Sequence, residues 1–136
     1  MSVANRGDAR AELQTLLRQR VTDASDVPSA QPDDFGGKSP VVVVASGGSN
    51  RQRLTLSGTQ PTFYLDVYVF VRATDTADDM LDLIEQEIAQ ALEDNQNEHL
   101  HWMAIGYAGR STTTFIQPVD GTEYKMERIP LQLTAR

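Results

Sequence analysis

The chain has no cysteine among its 136 residues, so it can form neither a disulfide framework nor a thiolate metal site. Basic residues are also scarce, with 12 Lys and Arg against 19 Asp and Glu and a net charge of -7. This balance argues against a protein that binds nucleic acid by neutralising phosphates. A hydrophobic content of 40% in 136 residues predicts one compact domain over residues 1–136.

Long apolar segments are missing as well. No run approaches the roughly 20 residues that a membrane-spanning helix needs. The opening residues, MSVANRGDAR, lack the apolar core of a signal peptide. We therefore expect a soluble protein that is made in the cytoplasm and has no membrane partner.

The clearest pattern lies between Thr62 and Glu93, where a strand leads into an amphipathic helix. Alternate residues of the strand point to opposite faces. One predicted face is wholly apolar and consists of Phe63, Leu65, Val67, Val69 and Val71. The other is mixed and consists of Thr62, Tyr64, Asp66, Tyr68, Phe70 and Arg72. The first face is a core face, and the second needs water or a partner.

The helix that follows has apolar residues at the three-and-four spacing of one helical face. These residues are Ala77, Met80, Leu81, Ile84, Ile88, Ala91 and Leu92. Thr76 and Asp79 have the spacing of a capping box at the start of the helix. Because the strand and the helix each have one apolar face, we expect them to pack on each other.

The remaining segments complete the predicted order of elements. We predict a flexible N-terminus over 1–7, followed by a helix from Asp8 (as N-cap) to Val21 and a long loop over 22–39. A strand from Pro40 to Ala45 and a turn over 46–50 come next. A strand or hairpin arm from Arg51 to Ser57 then leads to the long strand. After the helix, we predict strands from His101 to Tyr107, Ser111 to Val119 and Tyr124 to Thr134, with a hairpin turn at Asp120–Gly121. The loop over 22–39 is long enough to be either functional or mobile.

Apolar residues change parity along the last strand. Tyr124 and Met126 set one parity, whereas Ile129, Leu131 and Leu133 set the other. This change predicts a bulge between Arg128 and Pro130 and a position at or near a sheet edge. The predicted fold class is α+β, a two-layer sandwich of a mixed, mostly antiparallel sheet with two helices on one face, plus a protruding hairpin or loop.

Two short motifs could indicate chemistry. GGKS at 36–39 resembles the end of a phosphate-binding loop, but Pro32 occupies the place of the first glycine and Pro40 prevents a helix from following. His99 and His101 would need a third ligand, such as Glu98, to hold a metal. We favour a flexible loop for the first motif and a position near water for the second. We predict no cofactor and no metal site.

Carboxylates form the remaining candidates. Acidic residues line the polar side of the second helix, where a solvated face is the usual explanation and a metal or partner surface the alternative. Asp66 lies among aromatic residues and could be a general acid. We favour a subunit contact in which Asp66 pairs with an arginine. No serine or threonine has a motif that would activate it, so we predict that the chain is not an enzyme.

The chain as a whole resembles the tail terminator proteins of long-tailed bacteriophages, the minor-tail-protein-U-like group. The resemblance rests on the segment YLDVYVFVRATDTADDMLDLIEQEIAQAL, the strand HWMAIGY, and the closing DGTEYKMERIPLQLTAR. The closing pattern places Tyr124, Arg128, Ile129, Leu131 and Leu133 after the turn at Asp120–Gly121. The resemblance covers roughly Leu13 to Thr134.

This resemblance implies a structural virion protein. Its members would form a ring of six subunits on the head-proximal end of the tail tube, stop tube polymerisation and present a surface to the head-side connector. The implied partners are other copies of the chain, the tail tube protein and the connector, while DNA passes through the channel without specific binding. Candidate contact residues are Arg51, Arg53, Tyr64, Asp66, Tyr68, Phe70, Asp78, Asp82 and Glu85. The alternatives are another neck or tail-completion protein and a small-ligand-binding α+β domain built around Asp66.

Overall fold

The computed structural model of the chain describes residues 4–28, 35–51, 53–55, 58–59, 61–97, 99–117 and 121–136, with the backbone alone for 53–55 and 58–59. The elements are α1 (Arg6–Arg20), β1 (Val41–Asn50), β2 (Arg53–Thr55), β3 (Gly58–Thr59), β4 (Thr62–Arg72), α2 (Ala77–Asp94), β5 (Trp102–Tyr107), β6 (Thr112–Ile116) and β7 (Tyr124–Ala135). The predicted turn residue Asp120, the possible ligand Glu98 and Pro32 lie outside the described ranges. Neither described helix is long and apolar enough to cross a membrane.

One sheet of five strands forms the second layer beneath the two helices. The strand order is β1-β4-β7-β5, and β6 also pairs with β7. All four strand pairings are antiparallel. The separate pair β2–β3 forms a small hairpin between β1 and β4. The predicted α+β fold, a two-layer sandwich, is therefore confirmed.

The main core lies between the helices and one face of the sheet. The predicted apolar face of β4 is buried, and each of its five residues is at most 4% exposed. The stripe of α2 with Leu81, Ile84 and Ile88 packs into the same core, as do Leu13 and Leu17 of α1. Complete burial of each of these side chains contributes about 1.5–3 kcal/mol. The predicted contact between strand and helix is the centre of the fold.

A second, smaller core lies on the opposite face of the sheet. It consists of Phe35, Val41, Val43, Phe70 and Tyr124, each at most 4% exposed. Phe35 comes from the loop over 22–39, and its ring lies 4.7 Å from that of Phe70 and 5.0 Å from that of Tyr124. The first strand is thus covered on both faces, as its run of valines predicts.

This second core explains the change of parity in β7. The strand pairs with β4 without interruption from Tyr124 to Thr134, and it lies inside the sheet between β4 and the strands β5 and β6. The predicted bulge was therefore wrong. Strand β7 is not itself an edge strand, but it lies near the edge of the sheet, next to β5 and β6. Tyr124 and Ile129 are both buried because they face two different cores.

Pro130 is accommodated inside the sheet because it lies at the gap between β5, which pairs with residues 131–135 of β7, and β6, which pairs with residues 124–128. Its carbonyl accepts a hydrogen bond from the Ala108 amide at 2.9 Å. The N and O atoms of a residue in an antiparallel ladder point to the same neighbour. The proline nitrogen therefore points to the connection between β5 and β6, where no ladder donor is needed.

The helix starts differ from the predictions. Asn5, not Asp8, caps α1, because its side chain accepts a hydrogen bond from the Asp8 amide at 3.1 Å. Residues 6–7, predicted as flexible, are part of this helix. Thr76 makes no side-chain cap hydrogen bond at the start of α2, so the predicted capping box was wrong.

The first strand is longer than predicted. Residues 46–50, predicted as a turn, continue β1, with a register shift between Ser46 and Gly48. A Cβ atom on Gly47 would lie 3.0 Å from Asp66 Oδ2 and 3.2 Å from the Tyr64 carbonyl. The glycine therefore permits the close approach of β1 to β4 at this bulge.

Candidate functional site

The mixed face of β4 is the first predicted contact surface. Asp66 is 8% exposed, and its Oδ1 lies 2.9 Å from a guanidinium nitrogen of Arg128 on β7. The arginine that we predicted for Asp66 therefore comes from the same chain. The pair neutralises a carboxylate that the sheet would otherwise bury alone.

The aromatic residues of this face have different surroundings. Phe70 is 1% exposed within the second core, so its ring is buried and cannot contact a partner. Tyr68 is half-buried, and its ring stacks on Phe70 at 6.2 Å. Tyr64 is also half-buried. Tyr64 and Tyr68 thus keep part of their surface available to a partner.

The described parts of the loop over 22–39 are held against the sheet. Lys38 forms an ion pair with Asp26 at 3.2 Å. Arg72 hydrogen-bonds to the Gly37 carbonyl, and the Tyr124 hydroxyl donates to the Lys38 carbonyl at 3.3 Å. The GGKS motif therefore lies in an anchored segment that leads into β1, rather than before a helix as in a phosphate-binding loop.

Three arginines line a cleft of about 680 Å³ between the start of α1 and the end of β1. We call Arg6, Arg10 and Arg51 the arginine cleft. Arg6 donates to Ser49 Oγ at 3.0 Å, and Arg10 donates to Ser46 Oγ at 2.8 Å. Arg51 donates to the Ala4 carbonyl at 3.0 Å, and its guanidinium lies 5.1 Å from the centroid of the Phe63 ring.

From the sequence, we placed Arg51 and Arg53 on one predicted hairpin arm and named both as candidate contact residues. In the fold, Arg51 instead joins two arginines from α1, which the sequence argument missed. Their spacing of four residues places them on the same helical face, and that was the available signal. The side chain of Arg53 lies outside the described part.

Acidic residues meet on the other side of the helical layer. Asp82 and Glu85 share a face of α2 with Asp78, and Glu127 lies on the helix-facing side of β7. We call Asp82, Glu85 and Glu127 the acidic surface. Asp78 has a counter-charge, because it forms an ion pair with Lys125.

Burial and like charges act on this surface. Glu127 is 8% exposed, and burial raises the pKa of its carboxyl. The hydrogen bond from Ser111 lowers that pKa, whereas the charges of Glu85 and Asp82 raise it further. Burial also raises the pKa of Tyr107, and the charges of Glu85 and Glu127 add to the effect. Tyr107 therefore lies within electrostatic range of these two carboxylates.

Large apolar side chains are exposed along strands β5 and β6. Met103 is 43% exposed, Tyr107 47% and Phe115 61%. Strand β6 pairs only with β7 among the described strands, and its residues 112–116 carry no charge. Exposed, uncharged edges of this kind are unusual in proteins that stay monomeric. We call Met103, Tyr107 and Phe115 the edge patch.

The two histidines contact one carboxylate from α1. Nδ1 of His101 lies 2.5 Å from Glu12, and Nδ1 of His99 hydrogen-bonds to the second oxygen of the same carboxylate. The ring of His99 stacks on buried Trp102 at 4.5 Å. Both histidines keep about a third of their side chain exposed, at 32% and 35%. Among the residues that the structure describes, no group of three or more His, Cys, Asp or Glu could hold a metal.

Comparisons with known proteins find similarity to solved structures. No protein family matches the sequence. No curated protein matches it either. A solved structure, that of the bacteriophage SPP1 gp17 protein, is similar with a TM-score of 0.49 and 16% sequence identity. The alignment covers 100% of this chain and 97% of that chain.

The predicted contact residues are thus distributed over several places. Asp82 and Glu85 lie on the same side of the sheet as Glu127, which was not among the predicted contact residues because only the pairing of β7 in the sheet brings it to α2. Arg51 lies with Arg6 and Arg10 at the opposite end of the helical layer. Asp66, Tyr64 and Tyr68 lie on the outer face of the sheet, Phe70 is buried there, and Asp78 is ion-paired.

Proposed function

We propose that the chain is a tail terminator of a long-tailed bacteriophage. Six copies form a ring on the head-proximal end of the tail tube, stop its polymerisation and offer a surface to the head-side connector. The protein acts through contacts alone, in the virion, with no cofactor and no catalysis. DNA passes through the channel of the ring without specific binding.

The observation that carries this proposal is the edge patch. Strand β6 carries no charge and pairs only with β7 among the described strands, and such an edge can pair with a strand of another chain. Exposed aromatic residues and methionine are typical of the centre of an interface. The sequence resemblance supports the same conclusion independently, because the segment on which it rests forms β4 and α2 at the centre of the fold.

The small-ligand alternative depends on Asp66. Its carboxylate is paired with Arg128, and Asp66 does not line the arginine cleft. A general acid needs access to a substrate proton. The geometry therefore favours a structural role for Asp66.

A mass measurement and a mixing experiment test the proposal. Light scattering of the purified chain should give six times the mass of one copy; a chain that assembles only on the tube should bind to tubes in six copies per end. Tubes assembled in its presence should be capped at one end in electron micrographs. A neck protein would instead bind the connector and leave tube length unchanged. A stable monomer that binds neither tube nor connector would overturn the proposal.

A further inference from the structure

We propose that the arginine cleft of one copy receives the acidic surface of a second copy. Asp82, Glu85 and Glu127 of one chain would then face Arg6, Arg10 and Arg51 of its neighbour. This inference rests on the proposed self-association and identifies the contact that produces it.

The arginine cleft has no counter-charge among the residues that the structure describes. A guanidinium has five N–H donors and is always charged. The hydrogen bonds of Arg6, Arg10 and Arg51 go to two serine hydroxyls and one carbonyl, all neutral groups. Within the described ranges, none of these three arginines lies within 4.0 Å of a carboxylate oxygen. In contrast, Arg20, Arg128, Lys38 and Lys125 each form an ion pair.

The acidic surface, in turn, lacks basic partners among the described residues. No lysine or arginine nitrogen of the described part lies within 4.0 Å of Asp82, Glu85 or Glu127. Among the described side chains, it is the neutral Ser111 hydroxyl that donates a hydrogen bond to Glu127, at 2.8 Å. The ring of Tyr107, 47% exposed, adds apolar area at the border of this surface. Tyrosine and arginine are both enriched in the centres of interfaces.

The two surfaces are too far apart to meet within one copy. The cleft lies at the end of β1, where Ser46 pairs with Leu65, and Leu65 pairs with Leu131 of β7. Glu127 lies on β7 at a distance of two strands and at least four residues from that position. Strand spacing and rise place it roughly 15–20 Å from the cleft. Contacts between unlike surfaces of identical chains propagate from copy to copy and can close into a ring.

A second copy fits the cleft better than nucleic acid does. The chain has a net charge of -7, so its overall field repels a phosphate backbone. Three of its carboxylates, however, have no basic partner within the described part of the chain. Charge complementarity of this kind directs association and selects against wrong partners.

The inference is tested by exchanging the charges between the two surfaces. The single variants Arg10→Glu and Glu85→Arg should each weaken self-association at least tenfold, as measured by sedimentation velocity and light scattering. The double variant Arg10→Glu/Glu85→Arg restores opposite charges across the contact and should recover most of the lost affinity. If wild-type copies assemble only on the tail tube, capping of tubes is the measured quantity instead.

The matched control is Arg10→Glu/Glu93→Arg. Glu93 is an exposed residue of the same helix, so this variant has the same net charge as the exchanged pair. It should remain as weak as Arg10→Glu alone. Thermal melting by circular dichroism should show that all variants are folded.

The possible outcomes separate this inference from the proposed function. If wild type forms a ring and both double variants remain dissociated, the charge pairing is wrong, while the terminator role is unaffected. If Arg10→Glu loses affinity for the tube or for DNA but self-associates normally, the cleft belongs to that other partner and the inference fails. A wild-type chain that stays monomeric, alone and with the tube, overturns both.

Discussion

Asp66 of β4 and Arg128 of β7 form an ion pair at 2.9 Å across adjacent strands. They occupy diagonal positions, because Asp66 pairs in register with Pro130 and Arg128 pairs with Tyr68. The carboxylate is almost covered, whereas 43% of the Arg128 side chain is exposed. The pair thus connects a buried charge to the surface of the outer sheet face.

We predict that Arg128→Met destabilises the chain by about 1–2 kcal/mol, less than the value for a fully buried pair because solvent screens Arg128. The double variant Asp66→Asn/Arg128→Met should recover part of this loss, since it leaves no unpaired charge. Urea denaturation gives the free energies of unfolding. Additive effects of the two substitutions would show that the pair does not couple.

Phe35 holds the second core together. We predict that Phe35→Ala lowers the free energy of unfolding by about 3–5 kcal/mol, because it leaves a cavity between the rings of Phe70 and Tyr124. Phe115→Ala is the control, since the Phe115 side chain is 61% exposed and its loss should change stability by about 0.5 kcal/mol or less. Equal effects of the two substitutions would contradict the assignment of Phe35 to a core.

These residues also show what the sequence can predict. The alternation in β4 and the stripe of α2 reflect a single large core, and both elements were predicted with nearly correct bounds. Phe35 stands alone in a loop rich in proline and glycine, so no periodicity indicates that it is buried. Because the sequence gives no sign that Phe35 is buried, the change of parity after Tyr124 led to the prediction of a bulge in β7. That prediction was wrong.

The arginine cleft illustrates a second limit. Arg6 and Arg51 are distant in sequence, and they come together only because β1 continues past residue 46 along α1. A turn at 46–50, as predicted, would have separated them. Local patterns therefore gave the elements, whereas contacts between elements decided which charges share a surface.

Glu127 makes the stability of the chain depend on pH. Its folded-state pKa is raised, so the folded state holds the proton more tightly than the unfolded state does. This contribution to stability is fully present below the unfolded pKa of about 4.3 and is lost as the pH rises through the folded pKa. We therefore predict that Glu127→Gln raises the melting temperature at pH 8, and that the difference shrinks toward pH 4.

The melting temperatures of Glu127→Gln should be measured in the Arg10→Glu variant, in which the proposed intermolecular contact is absent. Glu93→Gln is the control, since Glu93 is exposed at the end of α2. A stabilisation by Glu127→Gln that is equal at pH 4 and pH 8 would show that ionisation of the carboxyl is not its cause.

Glu12 connects α1 to the segment before β5 through both histidines. We predict that Glu12→Ala destabilises the chain by about 1–3 kcal/mol, because two hydrogen bonds are lost and the His99 ring loses its anchor on Trp102. Amide hydrogen exchange should increase in α1. The control is Glu93→Ala, and protection of α1 that does not change in Glu12→Ala would contradict the proposed connection.

The last prediction separates the role of the edge patch in assembly from any role in folding. Because the ring of Phe115 is exposed, Phe115→Ala should leave the free energy of unfolding nearly unchanged. If β6 lies at an interface, the same substitution should weaken ring formation or tube capping at least tenfold, since exposed aromatic residues contribute strongly when a partner buries them.

The control is Leu100→Ser, which alters a side chain that is 73% exposed but lies beside the histidines rather than on the sheet edge. Loss of assembly in Leu100→Ser, with normal assembly in Phe115→Ala, would show that the interface lies on the histidine side of α1 and not at the sheet edge.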